Sequence, residues 1–209
     1  MPSRAFRAAL IALSALCSTL AMARVDVRPA QHKSLGPVLA VRVSEDIAPG
    51  DYEALIRGIR ENPGKYEKKL VLLDSIGGSV AEAIRMGRLL RDSGFDALVP
   101  ANAVCQGACV YLLAAGNART VRGHVGLHRP YYPAGDSAAA SAHGTSRYSP
   151  AAYLREMDVS ASLLEDMNGI APHDMRVLSP GELARYRLVA LPRRSAGAGE
   201  TGLQAGLKQ

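Results

Sequence analysis

Apolar and polar positions follow two different periods over the first half of the chain. Short, nearly continuous apolar runs are typical of strands that are covered on both faces. The segments between them place an apolar residue at every third or fourth position, which is the period of an amphipathic helix. Because the two patterns alternate, they predict an α/β fold with a mostly parallel sheet under helices. The strands are predicted over 38–43, 70–74 and 96–99, and the helices over 52–59 and 80–90.

The second half of the chain begins with a helix that is apolar on every side. It is predicted within 104–116, after a tight turn, and Gly116-Asn117 is a suitable stop. A helix without a polar face must be buried. The remaining elements are predicted as short strands over 119–122, 125–128 and 188–191, two helical pieces over 151–168, and a helix that starts at the capping box Ser179-Pro180-Gly181-Glu182.

Three segments of the mature chain are predicted to flank or interrupt a single domain over 37–192. Residues 24–36 are polar and are predicted to form an irregular N-terminal linker. Residues 131–150 are rich in Pro, Gly, Ser and Ala, which is typical of a long flexible loop. The Gly- and Ala-rich tail 193–209 is predicted to be disordered.

The first 23 residues have the pattern of a secretory signal peptide. Arg4 and Arg7 give a positive start, residues 8–20 are apolar, and Ala21-Met22-Ala23 is a small-x-small cleavage site. The apolar run is shorter than the ~20 residues that a membrane span needs. An uncleaved anchor helix is the alternative. We expect an exported, periplasmic protein without a stable membrane span after cleavage.

The charge of the mature chain indicates no particular macromolecular partner. Loss of Arg4 and Arg7 with residues 1–23 lowers the net charge from +6 to +4. Positive and negative residues are interspersed, and only Arg193-Arg194 resembles a basic cluster, without interleaved aromatic residues. This pattern favours a solvated surface and no nucleic-acid partner.

Two cysteines remain in the mature chain, Cys105 and Cys109, because Cys17 is removed with the signal peptide. An even pair in an exported protein favours a disulfide. Cα atoms one helical turn apart lie about 6 Å from each other, within disulfide range. Two buried thiols are the alternative.

Two glycine turns precede predicted helices and carry the candidate chemistry. Gly77-Gly78 and Gln106-Gly107-Ala108 can each direct backbone N–H groups outward at a helix start, where an anion or an oxyanion is stabilised. Tight strand–helix connections without function are the alternative. His128 follows a predicted strand and can lie at the rim of the same crevice.

The order of these motifs resembles that of Clp-type serine peptidases and the wider Clp/crotonase-like superfamily, in particular their exported bacterial relatives. The motifs are Ser-x-Gly-Gly-Ser before a helix, Cys-x-x-Ala-Cys before a helix that ends in Ala-Ala-Gly, then Gly-x-His and Leu-Ser-x-x-Glu. The resemblance covers residues 38–191. It implies stacked ββα units with a mostly parallel sheet.

The resemblance also implies site residues. The oxyanion donors become the N–H groups of Gly78 and Ala108, and the general base becomes His128. The nucleophile falls on Gly107, which has no side chain. The acid falls on Ala171, and Asp174 is the nearest carboxylate. Removing the nucleophile of such a unit costs on the order of 10⁶ in turnover.

Three hypotheses follow, and whether the protein is an enzyme stays open. The first is a catalytically degenerate peptidase-fold protein that binds a peptide or protein partner in its crevice. The second is an active hydrolase that uses Ser79, Cys105 or a water activated by His128. The third is crotonase-type enolate chemistry, against which export argues, because coenzyme A is not expected outside the cytoplasm.

The sequence predicts no cofactor and no metal. His124, His128, His143 and His173 lack the spacing of metal ligands. A homo-oligomer is compatible with the resemblance, since relatives commonly form rings or trimers.

Overall fold

The computed structural model describes residues 24–129, 149–171 and 173–189. The predicted signal peptide, most of the loop 131–150 and the tail 193–209 lie outside this part of the chain. Eight strands and six helices are present in the described part. They are β1 (Arg24–His32), β2 (Gly36–Ile47), α1 (Asp51–Glu61), β3 (Lys68–Gly78), α2 (Val80–Asp92), β4 (Asp96–Val99), β5 (Val104–Gln106), α3 (Cys109–Ala115), β6 (Arg119–Val121), β7 (His124–Leu127), α4 (Pro150–Glu156), α5 (Ser162–Gly169), β8 (Arg176–Val177) and α6 (Pro180–Arg185).

Strand β3 is the centre of the sheet. It pairs with β2 in parallel along most of its length. Its first half also pairs with β4, where Leu70 is opposite Asp96, whereas its end pairs with β5, where Ser75 is opposite Cys105. The sheet therefore divides into one branch through β4 and β6 and another through β5, β7 and β8. Pairing is parallel except at β1 and β8, which confirms the predicted α/β class with a mostly parallel sheet.

Helix α3 lies in the hydrophobic core, as its apolar sequence predicts. All seven of its residues are buried. Helix α4 packs beside it through Tyr153, whose hydroxyl donates to the backbone oxygen of Tyr111 at 2.8 Å. Gly87 on α2 allows this approach, since a Cβ there would lie 1.9 Å from Oη of Tyr153. The core is therefore closed by contacts among α2, α3 and α4.

The prediction of an irregular linker over 24–36 was wrong. Residues Arg24–His32 form β1, which pairs in antiparallel register with β2 from Arg24 opposite Ser44 to His32 opposite Gly36. Val25 and Val27 are half-buried and pack against the core, whereas the residues from Arg28 onward are exposed. An edge strand of this kind shows little apolar periodicity, because most of its length contacts solvent.

The strand predicted over 188–191 is also not observed in its described residues, Leu188 and Val189. They follow α6 in a helix-terminating turn in which Arg187 has a φ of 61°. Leu188 N–H donates to Leu183 O at 2.8 Å and Arg187 N–H donates to Ala184 O at 2.9 Å, the two bonds of a Schellman motif. Leu188 is fully buried. The apolar side chain of Leu188 is therefore buried in the turn that ends α6 and is not part of a strand.

Candidate functional site

The ends of three neighbouring strands bring the predicted site residues to one edge of the sheet. Cys105 on β5 is opposite Ser75 on β3 and Val125 on β7. Because the three strands are parallel, the segments that follow them emerge side by side. These segments contain Gly77-Gly78, Gly107-Ala108 and His128, the positions that the sequence singles out.

The two glycine turns are in direct contact. A Cβ on Gly77 would lie 2.8 Å from Gln106 O and 3.0 Å from Ala108 N. Gly78 is equally close to β2, since a Cβ there would lie 2.3 Å from Ile47 O. Both glycines have a positive φ, 109° and 125°, which other residues rarely adopt. The sequence Gly77-Gly78 is therefore required for β2 and the second turn to approach β3 this closely.

Buried hydrogen bonds fix the first turn. Ser75 donates its hydroxyl to Glu45 O at 2.5 Å and accepts from Gly77 N–H at 3.2 Å. Ser79 N–H donates to Ile47 O at 2.8 Å. The Ser79 hydroxyl accepts from Glu82 N–H at 3.3 Å and is the N-cap of α2. Ser79 thus has the helix-capping role that is common for serine at this position.

A disulfide bond encloses the second turn. Cys105 at the end of β5 and Cys109 at the start of α3 are joined, with a Cα–Cα distance of 5.2 Å, and both are fully buried. The predicted disulfide is confirmed, and neither cysteine has a free thiol. Gly107 between them has a φ of 50° and donates its N–H to Gly126 O at 3.1 Å. The disulfide thus holds the two ends of the turn, and the hydrogen bond to Gly126 holds its middle against β7.

The His128 ring lies against Gly107. A Cβ on Gly107 would lie 2.0 Å from Nε2 of His128 and 2.8 Å from its Cε1. The other ring nitrogen, Nδ1, is 2.9 Å from the backbone oxygen of Arg129. A carbonyl oxygen only accepts, so Nδ1 carries a proton, and in the neutral ring Nε2 is the unprotonated nitrogen. The basic nitrogen therefore faces Gly107.

No carboxylate orients His128 in the described part of the chain. Asp174, the candidate acid, is exposed and donates its N–H to Ala171 O at 3.0 Å. Its carboxylate forms no hydrogen bond or ion pair with a described residue. The structure thus brings Gly107 and His128 together and does not bring Asp174 to them. The Arg129 carbonyl holds Nδ1 where an acid is expected.

A row of exposed apolar side chains crosses the same edge of the sheet, and no pattern in the sequence predicts it. We call Ile76, Met175 and Val177 the apolar row. Val177 on β8 is opposite Gly126 on β7, and Gly126 is opposite Gln106 on β5. Because Ser75 on β3 is opposite Cys105, the next residue, Ile76, is level with Gln106. Met175 covers Gly126, where a Cβ would lie 2.9 Å from its sulfur.

The apolar row is unusual for this surface. Four large apolar side chains of the described residues are exposed, and three of them form the row; the fourth is Leu35 in the β1–β2 turn. Exposed fractions in the row range from 46% for Met175 to 56% for Val177. The alternation Met175-Arg176-Val177 was the available signal for β8, but it is too short to identify a strand by itself.

The described residues contain no cluster of three or more His, Cys, Asp or Glu side chains placed to hold a metal ion. None of the helices described is both long enough and apolar enough to cross a bilayer.

Comparison with known proteins supports the fold. No protein-family model matches the chain, and no curated protein matches it. Among solved structures, it is similar to one described as the 1510-N membrane-bound stomatin-specific protease in a serine-to-alanine mutant form. The TM-score is 0.52 at 18% identity, and the match covers 73% of this chain and 76% of that one. The chain thus has a Clp-type peptidase-like fold.

Proposed function

We propose that this is an exported Clp-peptidase-like protein that binds an extended peptide or protein partner and has lost serine chemistry. One observation carries the proposal: the basic nitrogen of His128 faces Gly107, at the position where the resemblance places the nucleophile. The base is retained and the attacking atom is missing. Loss of the nucleophile from a Ser/His/Asp unit costs on the order of 10⁶ in turnover.

Neither Ser79 nor Cys105, the two candidate replacements in the described part of the chain, supplies the missing nucleophile. The Ser79 hydroxyl caps α2, and Cys105 is buried in a disulfide. Both alternatives from the sequence therefore have a structural role instead. This argues for binding without an acyl-enzyme intermediate.

The features suited to binding a peptide are retained. The Ala108 N–H precedes α3, and the first N–H groups of a helix have no partner within it. Together with Gly78 N–H, it is suited to donate a hydrogen bond to a main-chain carbonyl of a ligand. The apolar row beside these groups offers contact to ligand side chains. The proposed ligand is therefore an extended polypeptide.

The proposal includes export of the protein to the periplasm. The signal-peptide pattern of residues 1–23 supports export, and a disulfide in a protein of this size is typical of an oxidising compartment such as the periplasm. No nucleic-acid partner is proposed, and self-association into a homo-oligomer is compatible with the fold.

Binding is tested with fluorescein-labelled casein as an unfolded polypeptide, by fluorescence anisotropy. Ile76→Asp removes an apolar contact of the row and should weaken binding about tenfold. Leu35→Asp changes a side chain of similar exposure far from the site and should leave binding unchanged. Absence of binding by the wild type, or equal loss in both variants, contradicts the proposal.

A second candidate is a hydrolase that activates a water molecule with His128. The hydrogen bond between Nδ1 and Arg129 O favours it, because it orients the ring so that Nε2 faces the crevice. Hydrolysis of a peptide or ester by the purified wild type, lost in His128→Ala, would establish it. Activity that persists in His128→Ala would exclude it.

A further inference from the structure

A second concavity lies at the other end of β7 from His128. It has a volume of about 560 Å³ and is bounded by β6, the turn to β7 and the segment around α6. Pockets that bind small molecules in proteins measure ~300–1,000 Å³ and combine apolar walls with a few polar groups. The size is therefore suitable for an organic ligand, at a place separate from the candidate peptide site.

The charged residues that line the cavity are both arginines, Arg119 and Arg122. His124 lines it as well, and no described Asp or Glu does. The side chains of Arg122 and His124 are exposed and form no ion pair or hydrogen bond with a described residue. Two nitrogen-bearing side chains at the mouth are thus available to an anion.

Arg119 adds positive charge from the protein interior. Its guanidinium donates to the backbone oxygens of Gly116 at 3.1 Å and Met157 at 2.5 Å, and to that of Arg187. No carboxylate of the described residues forms an ion pair with it. Burial, together with nearby Arg91, lowers its pKa to about 10. Arg119 is therefore still charged at neutral pH, and its charge is compensated mainly by carbonyl dipoles.

The opposite wall of the cavity is apolar. Leu178, Leu183 and Val189 line it together with Pro180, and Val121 contributes from β6. A ligand that matches both walls has an anionic head and a hydrocarbon tail. Guanidinium groups bind carboxylates in a planar, bidentate geometry, which adds direction to the charge attraction.

We propose that this cavity binds a carboxylate that carries a short apolar chain. The carboxylate lies at Arg122 and His124, and the chain lies against Leu178 and Leu183. This site is independent of the peptide crevice at the other end of β7. Its ligand is recognised by charge and by apolar contact, without a covalent step.

Octanoate is the probe, and the full chain is titrated by calorimetry and by ¹H–¹⁵N correlation spectra. We expect saturable binding, with amide shifts concentrated at residues 119–124 and at Leu183. The double variant Arg122→Gln/His124→Gln should bind octanoate about tenfold more weakly, because charge-assisted hydrogen bonds to the head are lost. Arg60→Gln, a change at the end of α1, is the matched control and should bind like the wild type.

A neutral analogue separates the contribution of the head from that of the tail. Octan-1-ol should bind the wild type about tenfold more weakly than octanoate and should not distinguish the wild type from the double variant. Equal octanoate binding by the wild type and the double variant contradicts the proposal. So does the absence of shifts at the cavity, including the case in which residues 190–209 fill it in the full chain.

Discussion

The imidazole of His128 lies directly on Gly107, so close that a Cβ on the glycine would be 2.0 Å from Nε2. Real Cβ atoms essentially never approach another atom within 3.0 Å. The ring thus occupies space that a serine side chain would need. The absence of a side chain at Gly107 and the close approach of the ring go together, and both are compatible with the binding role proposed for the crevice.

Gly107→Ser places a hydroxyl beside His128. The ring is at the end of a side chain that can rotate about two bonds, so we expect it to withdraw and accept a hydrogen bond from the new serine. We predict labelling of this variant by a fluorophosphonate probe, detected by intact-mass spectrometry, and no labelling of the wild type. A stability cost of ~1–2 kcal/mol is expected because φ at this position is 50°.

Two further variants separate chemistry from backbone strain. Gly107→Ala introduces the same Cβ without a hydroxyl and should stay unlabelled at a similar cost in stability. Adding His128→Ala to Gly107→Ser should remove the labelling, because the base is lost. A folded Gly107→Ser variant that does not react would count against the placement of the nucleophile at this position.

Removal of the disulfide should destabilise the protein without unfolding it. The loop closed by Cys105 and Cys109 is short, and the chain-entropy model gives about 2 kcal/mol for a loop of this size. We predict this loss of unfolding free energy for Cys105→Ala/Cys109→Ala in urea titrations. Because both cysteines are fully buried, the wild type should resist a thiol reductant until it unfolds. Reduction of the disulfide faster than the protein unfolds would contradict this.

Gly87→Ala tests the contact that closes the core. The new Cβ would meet Tyr153 Oη, and overpacking of a well-packed core costs ~1–3 kcal/mol. Gly169→Ala is the matched control, since nothing lies within 4 Å of a Cβ there. Thermal unfolding should show a clear loss for the first variant and little change for the second. Similar curves for both would show that α4 does not pack on α2 as described.

The sequence predicted most of the fold because the buried elements carry strong periodic signals. The buried helix predicted within 104–116 is observed as Cys109–Ala115, and the strand over 96–99 agrees with Asp96–Val99. Strands β1, β5 and β8 were missed. β1 and β8 are edge strands, which contact the core with few residues, and β5 has only three residues, too few to show a period. The apolar segment at Leu188 was misassigned because burial alone does not distinguish a strand from the end of a helix.

The sequence also predicted that the two glycine turns lie close together, because of the way parallel strands end. Glycine turns after parallel strands emerge at one edge, so their neighbourhood follows from the strand order. The partner of His128 Nδ1 did not follow, because it is the backbone oxygen of Arg129, a group that every residue has. The apolar row also depends on the register of β8 with β7, which no sequence pattern gives.

Asp51→Asn is predicted to change the pH dependence of stability. Burial raises the pKa of Asp51 above its ordinary value of 3.8, and nearby Glu82 raises it further, against the effect of the hydrogen bond from Ala48 N–H. An acid with a raised pKa stabilises the fold when it is protonated. This contribution is present below pH 3.8 and is lost as the pH rises through the folded-state pKa.

Asparagine keeps the acceptor for Ala48 N–H, at 2.7 Å in the wild type, and removes the charge next to Glu82. The difference in unfolding free energy between variant and wild type should therefore move in favour of Asp51→Asn as the pH rises from about 3 to 7. Urea titrations across this range measure it. Glu61→Gln, a change at the exposed end of α1, is the control and should show no such trend. A difference for Asp51→Asn that is constant with pH would mean that Asp51 ionises in the folded protein as it does in the unfolded chain.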